Sequence, residues 1–177
     1  MRWHTPASMS LPTQTAPIDG VKIVTLRKFA DERGWFCELR RESWYEELSG
    51  GGGSMQTNMS FSKAGVIRGL HWHKRGQDDL FFCPVGQARI VLFDRREASP
   101  TRGVAWSLDI NEDNCLAVYI PGQVAHGFEA LTDLVFCYHV TEEYDPADPD
   151  EQNLAWNDPR VVHLWSTATP ILSARDT

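Results

Sequence analysis

The chain has no apolar run long enough for a membrane helix and no stretch like the hydrophobic centre of a signal peptide. It has no C-x-x-C spacing. Its four cysteines stand at 37, 83, 115 and 137, three of them inside apolar strand-like runs. That pattern argues against a thiolate metal site or a disulfide framework, and for buried free thiols in a reducing compartment. Positive charge is in deficit. A net charge of −7 disfavours a nucleic-acid-binding face, although an arginine pair can still invert the field inside one cleft. Helical periodicity is scarce and internal repeats are absent. These absences leave the expectation of a cytoplasmic protein with neither membrane nor nucleic acid as partner.

What is present is strand-like. At 177 residues the chain fits one domain around one core, and 42% hydrophobic with 23% charged residues is an ordinary globular balance. Residues 1–20 are polar, proline-bearing and aperiodic, and read as a flexible N-terminal arm; residues 21–177 then form the single domain. VKIVTL, WFCEL, MQTNMSF, GVIRGLHW, LFFCPV, QARIVLFD, VAWSLDI, CLAVYI, AHGFEAL and LVFCYHV are short, rich in β-branched and aromatic residues, and separated by turn chemistry. Such a series predicts an all-β sandwich or barrel. RESWYEEL (41–48) is the one good helix candidate, with a second short helix near the C-terminus. Ser49–Ser54 reads SGGGGS, a flexible surface loop.

The stretch RGLHWHKRGQDD (68–79) carries the densest chemistry. Residues i and i+2 of a strand face the same side, so His71 and His73 project together while Trp72 faces away. Two inward imidazoles need polar partners, because burying them unsatisfied costs several kcal/mol. Strand alternation lets only one of Asp78 and Asp79 face inward with them. Much later, IPGQVAHGF (120–128) brings His126 just after a Pro-Gly turn. H-x-H, an acid, a glycine and then P-G…H resemble the two sequence motifs of the cupin superfamily, whose jelly-roll barrels often hold a divalent metal. That resemblance makes His71, His73, Asp79 and His126 candidate ligands for Fe, Mn, Ni or Zn.

A second resemblance covers most of the chain, from about Ile23 to Asp176. FADERGWFCEL (29–39), QTNMSFSKAGVIRGLHW (56–72), REASPTRGVAWSLDI (96–110), YIPGQVAHGF (119–128), YHVTEEY (138–144), LAWNDP (154–159) and PILSARD (170–176) are similar, in order and spacing, to the dTDP-4-dehydrorhamnose 3,5-epimerase family. The resemblance implies an all-β, cupin-type jelly-roll barrel with short peripheral helices, working as a homodimer without a cofactor. Its substrate would be a dTDP-linked 4-keto-6-deoxyhexose, epimerised at C3, C5 or both. The keto group acidifies the adjacent protons. A base removes one, and an acid returns a proton to the opposite face.

By the same resemblance His71 is the base, Asp176 the carboxylate that orients it, and Tyr138 the acid across the ring. Arg33 and Arg68 would clamp the diphosphate. Phe36, Glu38, Gln56, Asn58, His126 and Tyr144 would line the nucleotide and sugar sites. The chain also departs from the family pattern. It reads His71-Trp72-His73 where members usually read H-Y-Q, and it carries Asp79 where they carry a lysine that stabilises the enolate oxygen. Ile90 stands where they carry an aspartate, although Asp94 matches a second one. Losing one enolate-stabilising donor costs roughly 3–4 kcal/mol. Lys63, Lys74, Arg75 and His139 are the candidate replacement cations. Two alternatives follow from these departures: a metal-dependent cupin enzyme, and a non-catalytic nucleotide-sugar-binding homologue.

Overall fold

The structure is a computed structural model that describes residues 11–49 and 56–176. The first strands are β1 (Thr13–Thr15), β2 (Lys22–Thr25), β3 (Lys28–Asp31) and β4 (Gly34–Cys37), followed by the helix α1 (Glu42–Ser49). Next come β5 (Gln56–Ser62), β6 (Ile67–His73), β7 (Asp79–Val85), β8 (Gln87–Phe93) and β9 (Ala105–Asn111). The last are β10 (Leu116–Ile120), β11 (Ala125–Ala130), β12 (Leu134–Val140) and β13 (Glu151–Asn153), then a single 3-10 turn at Val162–Leu164.

Two antiparallel sheets face each other. One has the order β1-β2-β10-β7-β12-β5 and the other β13-β6-β11-β8-β9, while β3 and β4 form a separate hairpin. Apart from β1-β2 and β8-β9, neighbours in each sheet are not consecutive in sequence, the jelly-roll signature. The cupin-type, all-β expectation therefore holds, with two facing sheets in place of one closed barrel.

Period-two alternation decides what each face carries. Between the sheets, Phe81, Ile90, Leu92, Ile110, Val118, Phe128 and Phe136 form the main core. Ile90 is thus a core residue, and its aliphatic side chain needs no polar explanation. On the outside of the six-stranded sheet, Tyr45 and Leu48 of α1 pack on Val24, Leu80, Phe82 and Ala117. On the outside of the other sheet, Val161, Trp165 and Trp156 cover Val91, Phe93 and Leu70. The three apolar layers explain why most aromatics are structural.

Of the arm expected over residues 1–20, the described part, residues 11–20, is held to the domain. Residues 1–10 lie outside the described residues, but Thr13–Thr15 pairs with β2, and Ile18 is fully buried in the main core. Two branched apolar residues, Leu11 and Ile18, anchor a segment whose composition reads as polar. The predicted helix is present as α1, and the C-terminal one as the 3-10 turn. Ser49 closes α1, its hydroxyl donating to the Tyr45 carbonyl at 2.8 Å. Residues 50–54 of the glycine-rich loop lie outside the described residues. All four cysteines are free. Among the described residues no helix is long and apolar enough to cross a membrane.

Candidate active site

One end of the sandwich is polar inside. A cavity of about 510 Å³ opens there, lined by residues of β5, β6, β7, β11, β12, β13 and the C-terminal segment. Aromatic side chains form its floor: Phe81 meets the rings of His126, Phe136 and Tyr138 edge-on, at 5.3, 5.2 and 5.8 Å between centroids. Alternation sorts the strands. His71 and His73 line the cavity, while Trp72 lies on the outer face beneath the Arg95 guanidinium, 3.5 Å from its ring centroid. Tyr138 lines it too. His139 does not; it packs on Phe82 and bonds Thr57 on the other face.

The histidines of β6 and β11 come together because two glycines let the strands close up. A Cβ on Gly69 would meet Gly127 Cα at 2.7 Å, and one on Gly127 would meet the Arg68 carbonyl oxygen at 2.6 Å. The register shifts between His126 and Phe128, and His126 lies directly opposite His71.

His71 is held from both sides. Its Nε2 is 2.8 Å from Asp176 Oδ1, and its Nδ1 is 2.7 Å from Glu151 Oε1. Burial alone would lower the pKa of His71, but the bonds to Asp176 and Glu151 outweigh it and raise it. Both carboxylates are held low in turn, Glu151 at about 2, because the hydrogen bonds from His71 overcome their burial. Asp176 also accepts from Ser173 Oγ at 2.7 Å. The segment that carries it is anchored, not frayed: Ile171 bonds Gly65 and Ile67, and Asn153 donates to the Arg175 carbonyl at 2.8 Å. Burial, with Asp79 adding to it, raises the Tyr138 phenol, so this hydroxyl keeps its proton at neutral pH.

A second cluster lies deeper. His73, Asp79 and His126 bring three potential ligand atoms within 4.8 Å of one another. His126 donates Nδ1–H to the Val124 carbonyl at 2.9 Å, which leaves its Nε2 lone pair 3.7 Å from Asp79 Oδ2. Burial pushes His126 down to about 4 and Asp79 up to about 7. His73 is lowered as well, again by burial, and its Nε2 lies 3.0 Å from Gln77 Nε2. Of the two aspartates, Asp79 is the inward one. Asp78 turns away and accepts from Tyr119 Oη and the Gly122 amide. The four-residue metal set expected from the sequence does not form. His71 stands apart from the other three because Asp176 and Glu151 occupy both of its ring nitrogens.

Gln56, Asn58, Arg68, His126 and Tyr144 all line the cavity, together with His71, Tyr138 and Asp176. Arg33, Phe36 and Glu38 are not among its lining residues. Arg33 and Phe36 belong to the β3–β4 hairpin, which pairs with neither large sheet, and Glu38 follows it directly. Arg33 pairs there with Asp31, and Glu38 with Arg41. Asp94 is also elsewhere, accepting from Arg96, Ser99 and Thr101 in a turn. The candidate replacement cations Lys63, Lys74, Arg75 and His139 do not line the cavity; Arg75 pairs with Asp148 and Asp150. Glu151, Arg175 and Gln77 do line it, and sequence reasoning missed all three.

Fold and cavity together define a cupin-type jelly roll with a polar pocket at one end. The sequence profile of dTDP-4-dehydrorhamnose 3,5-epimerase matches residues 15–177. The spore coat polysaccharide biosynthesis protein SpsL of Bacillus subtilis is 42% identical over 152 residues, covering 85% of this chain and 97% of that one. The dTDP-4-dehydrorhamnose 3,5-epimerase of Salmonella typhimurium is 36% identical, covering 95% and 93%. A dTDP-6-deoxy-D-glucose-3,5-epimerase from Legionella pneumophila, solved in complex with dTDP-4-keto-L-rhamnose, superposes with a TM-score of 0.85 at 32% identity, covering 94% and 89%. The chain belongs to the dTDP-4-dehydrorhamnose 3,5-epimerase family.

Proposed function

We propose that the chain epimerises a dTDP-linked 4-keto-6-deoxyhexose at C3, C5 or both, with His71 as base and Tyr138 as acid. The observation that carries this is the shared cavity. A carboxylate-supported imidazole and a protonated phenol line one space of about 510 Å³, within the range of small-ligand sites. In its neutral form, with Nε2–H donated to Asp176, His71 takes the proton next to the keto group on Nδ1 once the substrate displaces the Glu151 contact there, and Asp176 stabilises the imidazolium that results. Tyr138 then donates to the enolate carbon from the other face. Arg68, Gln56, Asn58, His126 and Tyr144 form the substrate-binding lining. No cofactor enters these steps.

The partner is a second copy of the chain. On the outer face of the edge strand β5, Met59 and Phe61 are 76% and 59% exposed, and Trp35 on the hairpin is 53% exposed. An apolar edge strand of this kind invites pairing or cover. In a dimer, Arg33, Phe36 and Glu38 would act at the partner's cavity, which accounts for their distance from their own. Sedimentation of the wild type and of the double variant M59E/F61E tests this; a monomeric wild type contradicts it.

The experiment for the activity is incubation with a dTDP-4-keto-6-deoxyhexose in D2O. Deuterium entering at C3 or C5 is the expected result. No exchange with retained dTDP binding would point instead to a non-catalytic binding homologue. A second reading rests on the three converging ligand atoms of His73, Asp79 and His126. Two neutral imidazoles and a carboxylate suit a divalent metal, which would act as a Lewis acid. Metal analysis of the purified protein tests it: stoichiometric metal lost in H73A and D79N supports it, and a metal-free active protein contradicts it.

A further inference from the structure

We infer that Arg175 is a catalytic residue, the cation that stabilises the enolate oxygen where family members use a lysine, and that Glu151 positions it; the inference rests on the epimerase reading above. The reaction creates negative charge on the keto oxygen. Family resemblance assigns its stabilisation to a lysine, and this chain has Asp79 at that position. A carboxylate cannot do a cation's work, so the positive charge must come from elsewhere or the site is crippled.

Two arginines line the cavity among the described residues, Arg68 and Arg175. Arg68 is turned toward β5: its Nε donates to Ser62 Oγ at 3.0 Å, and its Nη2 to the Phe61 carbonyl at 3.2 Å. Arg175 lies beside the base. Its Nη2 is 3.3 Å from His71 Nε2 and 3.5 Å from His71 Nδ1. That closeness is what the chemistry requires. The carbon that loses its proton and the keto oxygen are separated by one carbonyl carbon, about 2.4 Å given bonds of about 1.5 and 1.2 Å. A group that holds the oxygen must therefore stand next to the base.

Two features fix the guanidinium there. Its backbone directly precedes Asp176, and its carbonyl accepts from Asn153 Nδ2 at 2.8 Å. Its Nη1 and Nη2 form a fork on Glu151, at 2.8 Å to Oε2 and 3.1 Å to Oε1. Guanidinium has five N–H donors, so the fork leaves donors for a substrate oxygen. Glu151 also holds His71 Nδ1, which makes one carboxylate the ruler between base and cation. The Arg175 side chain remains 56% exposed, so it can meet a sugar entering the cavity.

The test compares wild type, R175K, R175Q and E151Q of the full chain, on the dTDP-4-keto-6-deoxyhexose in D2O, with kcat and KM measured separately. R175Q is expected to lose kcat by about 100- to 1000-fold with KM within about threefold, the cost of one oxyanion donor. R175K is expected to recover at least about tenfold of that loss, because it restores the charge without the fork. E151Q is expected to lose less than R175Q. Equal kcat in R175Q and wild type overturns the inference. So does a loss confined to KM, which would make Arg175 a diphosphate clamp, or R175K no better than R175Q. Thermal denaturation of each variant identifies any loss due to misfolding, and R175K then decides alone. If the wild type exchanges no deuterium, the epimerase reading fails and this inference with it. An active wild type with an indifferent R175Q sinks only the inference.

Discussion

Strands β11 and β13 lie on either side of β6 and give its histidines opposite kinds of neighbour. Every residue of β11 is buried, and the histidine it contributes is neutral, its pKa driven down by desolvation. β13 is a three-residue edge strand, Glu-Gln-Asn, only partly buried, and the carboxylate it contributes stays ionised. The lesson is that burial sets the currency of each side. Toward β11 polar groups are stripped of charge, while toward β13 charges survive because they pair with His71 and Arg175. Mutations on the first side should move stability, and mutations on the second should move the pH profile.

The largest effect is expected at the residue between the two sides. H71N removes the base and should lower kcat by about 1000-fold; a loss under tenfold would show that the base lies elsewhere. On the β11 side, D79N tests the stripped charge. An unfolded aspartate titrates near 3.9 and this one at about 7, so the folded state holds an extra proton between those values. Its contribution to stability is complete below about pH 4 and is lost as pH rises through 7, a swing on the order of 4 kcal/mol. In denaturation experiments the difference in stability between wild type and D79N should therefore change across that window by that amount, because the histidines that also titrate there are common to both proteins. A smaller loss is expected from G127A, which forces β6 and β11 apart, about 1–3 kcal/mol at all pH values. Chemical denaturation reads it, and an unchanged midpoint would mean the strands have room to spare.

The smallest effect lies on the β13 side. Glu151 raises the pKa of His71, so E151Q should let the neutral base persist to lower pH. The acid limb of kcat/KM is then expected to move to lower pH. A limb that moves up, or one that does not move, would contradict the division between the two sides.

The same contrast explains what could be read from the sequence. Ten apolar, alternating segments each contain a strand, and β11 is one of them. β1, β3 and β13 escaped because short polar edge strands are held by backbone pairing, which leaves no pattern in side chains. Glu151 was invisible for that reason: nothing in DPDEQNLAW announces a strand, and its function depends on pairing opposite His73. Arg175 adjoins a residue singled out by resemblance, yet its own direction depends on how the tail crosses β6. His71, His73 and His126 were legible because a two-residue period fixes their side. Asp79 was separable from Asp78 only once β7 had a register against β10.

The central claim is that His71 and Tyr138 exchange protons with opposite faces of one sugar. Y138F in D2O tests it most directly, with solvent exchange and inversion measured on the same sample. The account predicts that deuterium still enters next to the keto group, placed by His71 on the original face, while the epimeric product falls by at least about 100-fold. Inversion at the wild-type rate in Y138F, or exchange that survives in H71N, would contradict it.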